Sequence, residues 1–146
     1  MRTGWIAAAL LAATPALADY ETIEAEGSVD DAVARLETAI EEAGATLFTV
    51  VDHGQGAADA GLDLPQSRLV IFGNPQVGTP VMQQDMLAGL ELPMKILVYA
   101  DGDLTYVAYK EVEATFDGLS VDDDSEAFGK MQGAVQTLAE AAAGGG

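Results

Sequence analysis

The chain has 146 residues, enough for one domain. Its 24 Asp and Glu against six Lys and Arg give a net charge of −18, which repels nucleic acid and anionic membrane surfaces; basic proteins and cations remain as charged partners, and a saline habitat accounts for the charge equally well. The absence of Cys excludes disulfides, thiolate metal sites, iron–sulfur clusters, covalent c-type haem and thiol redox chemistry, and leaves a core drawn from 49% apolar residues to hold the fold.

The N-terminus reads as an address. Arg2, the run GWIAAALLAATPALA and the small residues Ala16 and Ala18 form a secretory signal with an A-x-A-type cleavage site before Asp19. Residues 1–18 are expected to be removed, leaving 19–146 as one periplasmic or secreted domain. The run is too short for a membrane span, no other long apolar run follows, and the mature protein is expected to have no span.

YETIEAEG predicts a first strand, with Tyr20, Thr22 and Glu24 on one face. Ser28 followed by Asp31 is a capping pattern, and Val29, Val33, Leu36 and Ile40 form the apolar stripe of a helix from about Val29 to Ala43, closed by Gly44. TLFTVVD is a second strand, apolar on both faces and expected to be buried; QGAADAG suits a short helix; RLVIF is a third strand. In the next stretch, IFGNPQVGTPVMQQ, Asn74 before Pro75 is not helical, and Gly73 and Gly78 are expected to hold backbone angles that other residues avoid. Thr79 as N-cap and Pro80 at the first helical position start a helix over PVMQQDMLAGL. ILVYA and LTYVAY, joined by ADGDL, predict a β-hairpin. The acidic run Asp122–Asp124 precedes a last helix with Phe128, Met131, Val135, Leu138 and Ala142 on its inner face. The order is β-α-β-α-β-α-β-β-α, one small α+β domain with helices packed on a sheet containing a hairpin.

Four short motifs in fixed order carry a family resemblance: Asp52-His53, Phe72-Gly73-Asn74-Pro75, Gly78-Thr79-Pro80-Val81-Met82, and Leu92-Pro93. Together, over about Ala45 to Tyr109, they resemble the "domain of unknown function 302" family. The sequence departs from the family where Tyr109-Lys110-Glu111-Val112 stands after the last strand in place of Tyr-Asn and a Pro. The resemblance implies a compact α+β domain that pairs as a homodimer, and implies no enzymatic activity.

His53 is the single His and precedes a run of small residues, where a flat ligand or a second chain can approach closely. Its imidazole suits a metal or haem iron as one axial ligand; the plainer reading is a hydrogen bond to Asp52 or backbone. The Gly73–Met82 stretch lacks the Lys and Ser/Thr of a phosphate loop: Thr79 stands where Lys is needed. No Ser sits in a nucleophile turn, and DGDLTYVAYKE reads as a hairpin before a calcium loop. Met82, Met86, Met94 and Met131 are soft donors for copper(I), though Met at helical spacing usually fills a core. The expectation is a homodimeric binding module with its site between His53 and Gly73, Asn74, Gly78, Thr79 and Met82, taking haem or another flat hydrophobic ligand. A His53-bound metal in an enzyme or electron-transfer accessory, and a protein-interaction module without a small ligand, are the alternatives.

Overall fold

The computed structural model describes residues 19–145; the expected signal peptide, residues 1–18, lies outside them. Five strands form one antiparallel sheet in the order β1-β5-β4-β3-β2: β1 (Tyr20–Ala25), β2 (Thr46–Asp52), β3 (Ser67–Gly73), β4 (Met94–Asp101) and β5 (Leu104–Lys110). The helices are α1 (Val29–Glu42), α2 (His53–Asp59), α3 (Pro75–Gln84), α4 (Val112–Thr115) and α5 (Glu126–Ala143), with a 3₁₀ turn over Met86–Leu90. The α+β class and the element order follow the sequence; the 3₁₀ turn and the four-residue α4 are additions.

Helix α1 begins where the capping pattern sits. Asp31 N–H donates to Ser28 Oγ at 3.2 Å, and Ser28 N–H donates back to Asp31 Oδ2 at 2.9 Å. The Ser28 backbone N–H, as the largest cause, holds the Asp31 carboxyl below its ordinary range. Arg35 on α1 donates to the carbonyls of Ala142 and Glu26 at 2.9 and 2.6 Å, tying α1 to the C-terminal end of α5, where carbonyls lack helical partners. The predicted stripes of α1 and α5 are buried, against Val70, Phe72, Ile96, Val98 and Val107 on one face of the sheet.

Among the described residues, no helix layer covers the other face of the sheet. One cross-strand row on it runs Val51, Leu69, Leu97, Ala108, Thr22, and the next runs Ser67, Tyr99, Tyr106, Glu24. Tyr99 and Tyr106 stack with ring centroids 5.6 Å apart. None of Leu69, Ile71, Leu97, Tyr99, Tyr106 or Ala108 belongs to the core cluster.

Three sequence expectations are corrected. Strand β2 is not buried: it is a sheet edge, with Phe48 54% exposed and Leu47 and Val51 also exposed. Its two-faced apolarity serves an edge and an open face, not two covering layers. Helix α3 starts at Pro75, not Pro80: Asn74 is the N-cap, its side chain accepting Gln76 N–H at 2.9 Å, and Pro80 lies inside the helix. Two Pro in one segment each fitted a first helical position, and the earlier took it. The helix then ends at Asp85, which caps the 3₁₀ turn by accepting Leu87 N–H and also accepts Ser120 N–H, both at 2.9 Å. Finally, Gly73 and Gly78 do not hold left-handed backbone angles; Gly73 lies in a strand and Gly78 in a helix.

Candidate functional site

Antiparallel pairing sets Thr46 opposite Gly73 and Asp52 opposite Arg68, so the two ends of the β2–β3 ladder are six residue steps apart along β2 and five along β3, the difference being a bulge. At about 3.3 Å per step that is about 17–20 Å, and His53 lies one residue further on. The Gly73 end holds a cavity of about 340 Å³, walled by the ends of β2, β3 and β4, by α3 and by α5. Gly73, Asn74, Gly78, Thr79 and Met82 all line it. His53 does not; it stands at the opposite end of the ladder, exposed, as the first residue of α2. The structure thus brings together five of the six sequence-predicted site residues and separates the sixth.

The cavity wall is apolar by construction. Asn74 spends its side-chain oxygen on the α3 cap. Phe72, Met94 and Met131 are buried at its base, and Met82 and Leu92 stand half-buried along its side. The mouth is shaped by a β-bulge. Register shifts between Leu47 and Thr49, leaving Phe48 as the extra residue and its ring turned over the end of the sheet. A β-carbon on Gly73 would lie 3.2 Å from Phe48 Cε2 and 3.6 Å from the Pro93 ring. The role of Gly73 is therefore close approach of an aromatic ring to the backbone, not a special torsion. On Gly78 a β-carbon would meet Leu92 Cδ1 at 3.5 Å, an ordinary contact.

The His53 end is polar and open. Asp52 caps α2 by accepting Gln55 N–H at 2.8 Å and pairs with Arg68 Nε at 3.2 Å; Arg68 also pairs with Asp30. The Gln55 N–H, as the largest cause, lowers the Asp52 carboxyl below its ordinary value, with the Arg68 guanidinium acting in the same direction. Asp52 is therefore committed to a helix cap and an ion pair. Among the described residues the one His/Cys/Asp/Glu group with metal-ligand spacing is Asp122–Asp124, which does not include His53. The residues that follow His53 at the start of α2, Gly54, Gln55 and Gly56, carry no apolar side chain.

Sequence reasoning missed Phe48, Leu92, Met94 and Met131 as cavity residues. Phe48 was legible only as part of a strand, because a bulge leaves no mark in apolar periodicity. Met94 and Met131 were legible as core residues, and they are core residues that also face the cavity.

A five-stranded antiparallel sheet with helices on one face and an apolar cavity at one end defines a single-domain α+β protein with a preformed hydrophobic cleft. The chain belongs to the DUF302 family: the profile described as "Domain of unknown function DUF302" matches residues 21–142. The crystal structure of an uncharacterized conserved DUF302 protein from Bacillus stearothermophilus is similar to it with a TM-score of 0.77 at 17% identity, covering 84% of this chain and 97% of that one. At that identity the likeness is one of fold. The chain is 46% identical over 81 residues to the fluoride-specific ion channel FluC 1 of Brucella suis biovar 1 (strain 1330), covering 56% of this chain and 32% of that protein. The same identity over the same length relates it to FluC 1 of Brucella abortus biovar 1 (strain 9-941), covering 30% of that protein. The chain thus spans about a third of the length of these curated relatives. Among the described residues, no helix is long and apolar enough to cross a membrane.

Proposed function

We propose that the chain is an exported binding module that holds a small apolar ligand in the cavity beside Gly73–Met82 and works as a homodimer. The observation that carries this reading is the cavity itself. Its volume of about 340 Å³ lies at the small end of ligand sites, and its wall is Phe, Met, Leu, Val, Ala, Pro and Gly with Asn74 and Thr79 as the polar members. Such a site takes a compact hydrophobic molecule through burial of its surface. A haem iron on His53 would sit about 20 Å from this cavity, so the ligand is a small apolar molecule held without a metal. Export rests on Arg2, the apolar run and Ala16-Leu17-Ala18; N-terminal sequencing of the mature product should begin at Asp19.

The open sheet face supports self-association: its central row of Val51, Leu69, Leu97 and Ala108 carries no charge on a chain of net charge −18. Sedimentation of wild type and Leu97→Asp tests this; a monomeric wild type overturns it. The similarity to part of longer, channel-named proteins supports a second reading, in which the same face docks on a larger partner.

The ligand site is tested with the neutral dye N-phenyl-1-naphthylamine on the mature protein. Fluorescence should rise saturably for wild type and for His53→Ala. Gly78→Leu, which projects a side chain from the cavity wall, should lower affinity about tenfold or more. Equal binding by wild type and Gly78→Leu overturns the assignment.

A further inference from the structure

The wall of the Gly73–Met82 cavity differs in kind from the centre of the core. There the sheet meets α1 through branched aliphatic side chains, Val70, Ile96, Val98 and Val107 against Val29, Val33 and Ile40. Sulfur and rings gather instead at the cavity. Of the four methionines among the described residues, three line it: Met82 from α3, Met94 from β4 and Met131 from α5. Phe48 and Phe72 add two rings, and small Val, Leu, Ala and Pro side chains complete the wall. The other two phenylalanines, Phe116 and Phe128, pack on each other elsewhere, with ring centroids 6.4 Å apart.

Two of these soft groups lie close to bare backbone. The Phe48 ring approaches Gly73, and the Met82 sulfur approaches Gly89, where a β-carbon would lie 3.3 Å from Sδ. Gly73, Gly78 and Gly89 thus give the wall three stretches without a side chain, against which a flat molecule can lie. Charge is excluded from the wall altogether. No Asp, Glu, Lys, Arg or His lines the cavity, on a chain of net charge −18. Lys95 follows Met94 in sequence, but its ammonium donates to the carbonyls of Glu91 and Pro93. A carboxylate ligand would find no cation there and an ammonium ligand no anion, so either charge would lose hydration without a partner.

We infer that the ligand of this cavity is a neutral aromatic molecule of one or two rings, preferred over a saturated molecule of the same shape through the thioethers of Met82, Met94 and Met131 and the rings of Phe48 and Phe72. The assignment rests on the reading of the cavity as a ligand site and names the class of molecule it takes. Thioether sulfur and aromatic faces attract another ring beyond what burial of its surface gives. A saturated molecule gains from burial alone. The volume of about 340 Å³ suits a ring with a short substituent, and the uncharged wall turns away fatty acids and other organic anions.

The test is displacement of bound N-phenyl-1-naphthylamine from the mature protein by three matched competitors: 4-propylphenol, its saturated counterpart 4-propylcyclohexanol, and the anion 4-propylbenzoate. The phenol should displace the dye at about fivefold lower concentration than the cyclohexanol, and at about tenfold lower concentration than the benzoate. The double variant Met82→Leu, Met94→Leu keeps nearly the same side-chain volume and should still fold and bind the dye. In it the preference for the phenol over the cyclohexanol should narrow to about twofold or less. Equal displacement by phenol and cyclohexanol in wild type, or an undiminished preference in the double variant, would overturn the aromatic assignment while leaving the cavity a ligand site. Benzoate displacing as well as the phenol would overturn its neutrality. Absence of saturable dye binding to wild type is the distinct result that removes the ligand site itself, and the assignment with it.

Discussion

The two ends of the β2–β3 ladder are built from the same pair of strands and do opposite things. At the Asp52–Arg68 end the charged groups are committed to neighbours: Asp52 to the Gln55 N–H and to Arg68, and Arg68 also to Asp30. At the Thr46–Gly73 end the bulge at Phe48 opens the sheet, and an apolar cavity forms between the strand ends, α3 and α5. A conspicuous residue at one end, His53, and a conspicuous motif at the other, Gly73–Met82, are joined in sequence reasoning by their shared strands. Antiparallel register separates them by the length of those strands. Proximity in motif order does not give proximity in space when an edge hairpin lies between.

The largest contrast is expected from Phe72→Ala, since Phe72 is 3% exposed and forms both core and cavity floor. Truncation should cost about 3–5 kcal/mol in chemical denaturation, with the lower part of that range if the existing cavity lets neighbours relax. A loss below about 1 kcal/mol would mean that the Gly73 end is not packed as described.

Two glycines sharpen the comparison further. Gly102, in the β4–β5 hairpin at the His53 end of the sheet, has φ +59°. Gly102→Ala forces a β-carbon into that conformation and should cost about 1 kcal/mol. Gly78 lies inside α3 without positive φ and with room for a β-carbon, so Gly78→Ala should raise stability by about 0.5–1 kcal/mol. Equal losses for the two variants would restore a torsional role to Gly78.

Much of this contrast was legible in the sequence, and its limits are physical. The capping box at Ser28, the stripes of α1 and α5 and the hairpin are local or periodic signals, and each appears where expected. The exposure of β2 was not legible, because an apolar strand reads alike whether a helix or an open face lies beside it. The start of α3 was read five residues late, because Thr79-Pro80 has the form of a helix start while Asn74-Pro75, which takes that role, reads equally well as a turn. Five cavity residues were named because they crowd one short turn. Phe48 and Met131 reach the cavity through tertiary packing alone.

Glu111 supplies a pH-dependent prediction away from both ends. Its folded carboxyl titrates above the ordinary value of 4.5, so ionising it works against the fold. The related stability is present below that value and is lost as pH rises through the folded pKa. Glu111→Gln removes the titration. Its melting temperature should exceed that of wild type at neutral pH, and the difference should close as pH falls below about 4.5. The gain is small, because Glu111 is largely open to water and screened. A difference independent of pH would assign the effect to packing.

The smallest effect is expected at His53. It is exposed at the first position of α2, where the helix end is capped by the Asp52 side chain and not by the imidazole. Removing the ring leaves the cap, the Arg68 ion pair and the core in place. His53→Ala should therefore change stability by no more than about 0.5 kcal/mol. It should also leave dye binding at the opposite end unchanged, since about 20 Å of paired strand separates the two. Asp52→Asn is the companion variant: it keeps a capping oxygen but loses the charge facing Arg68, so it should lower the melting temperature more than His53→Ala does. If His53→Ala instead abolished binding of the dye, the two ends would be coupled through the ladder, and the separation drawn between them would fail.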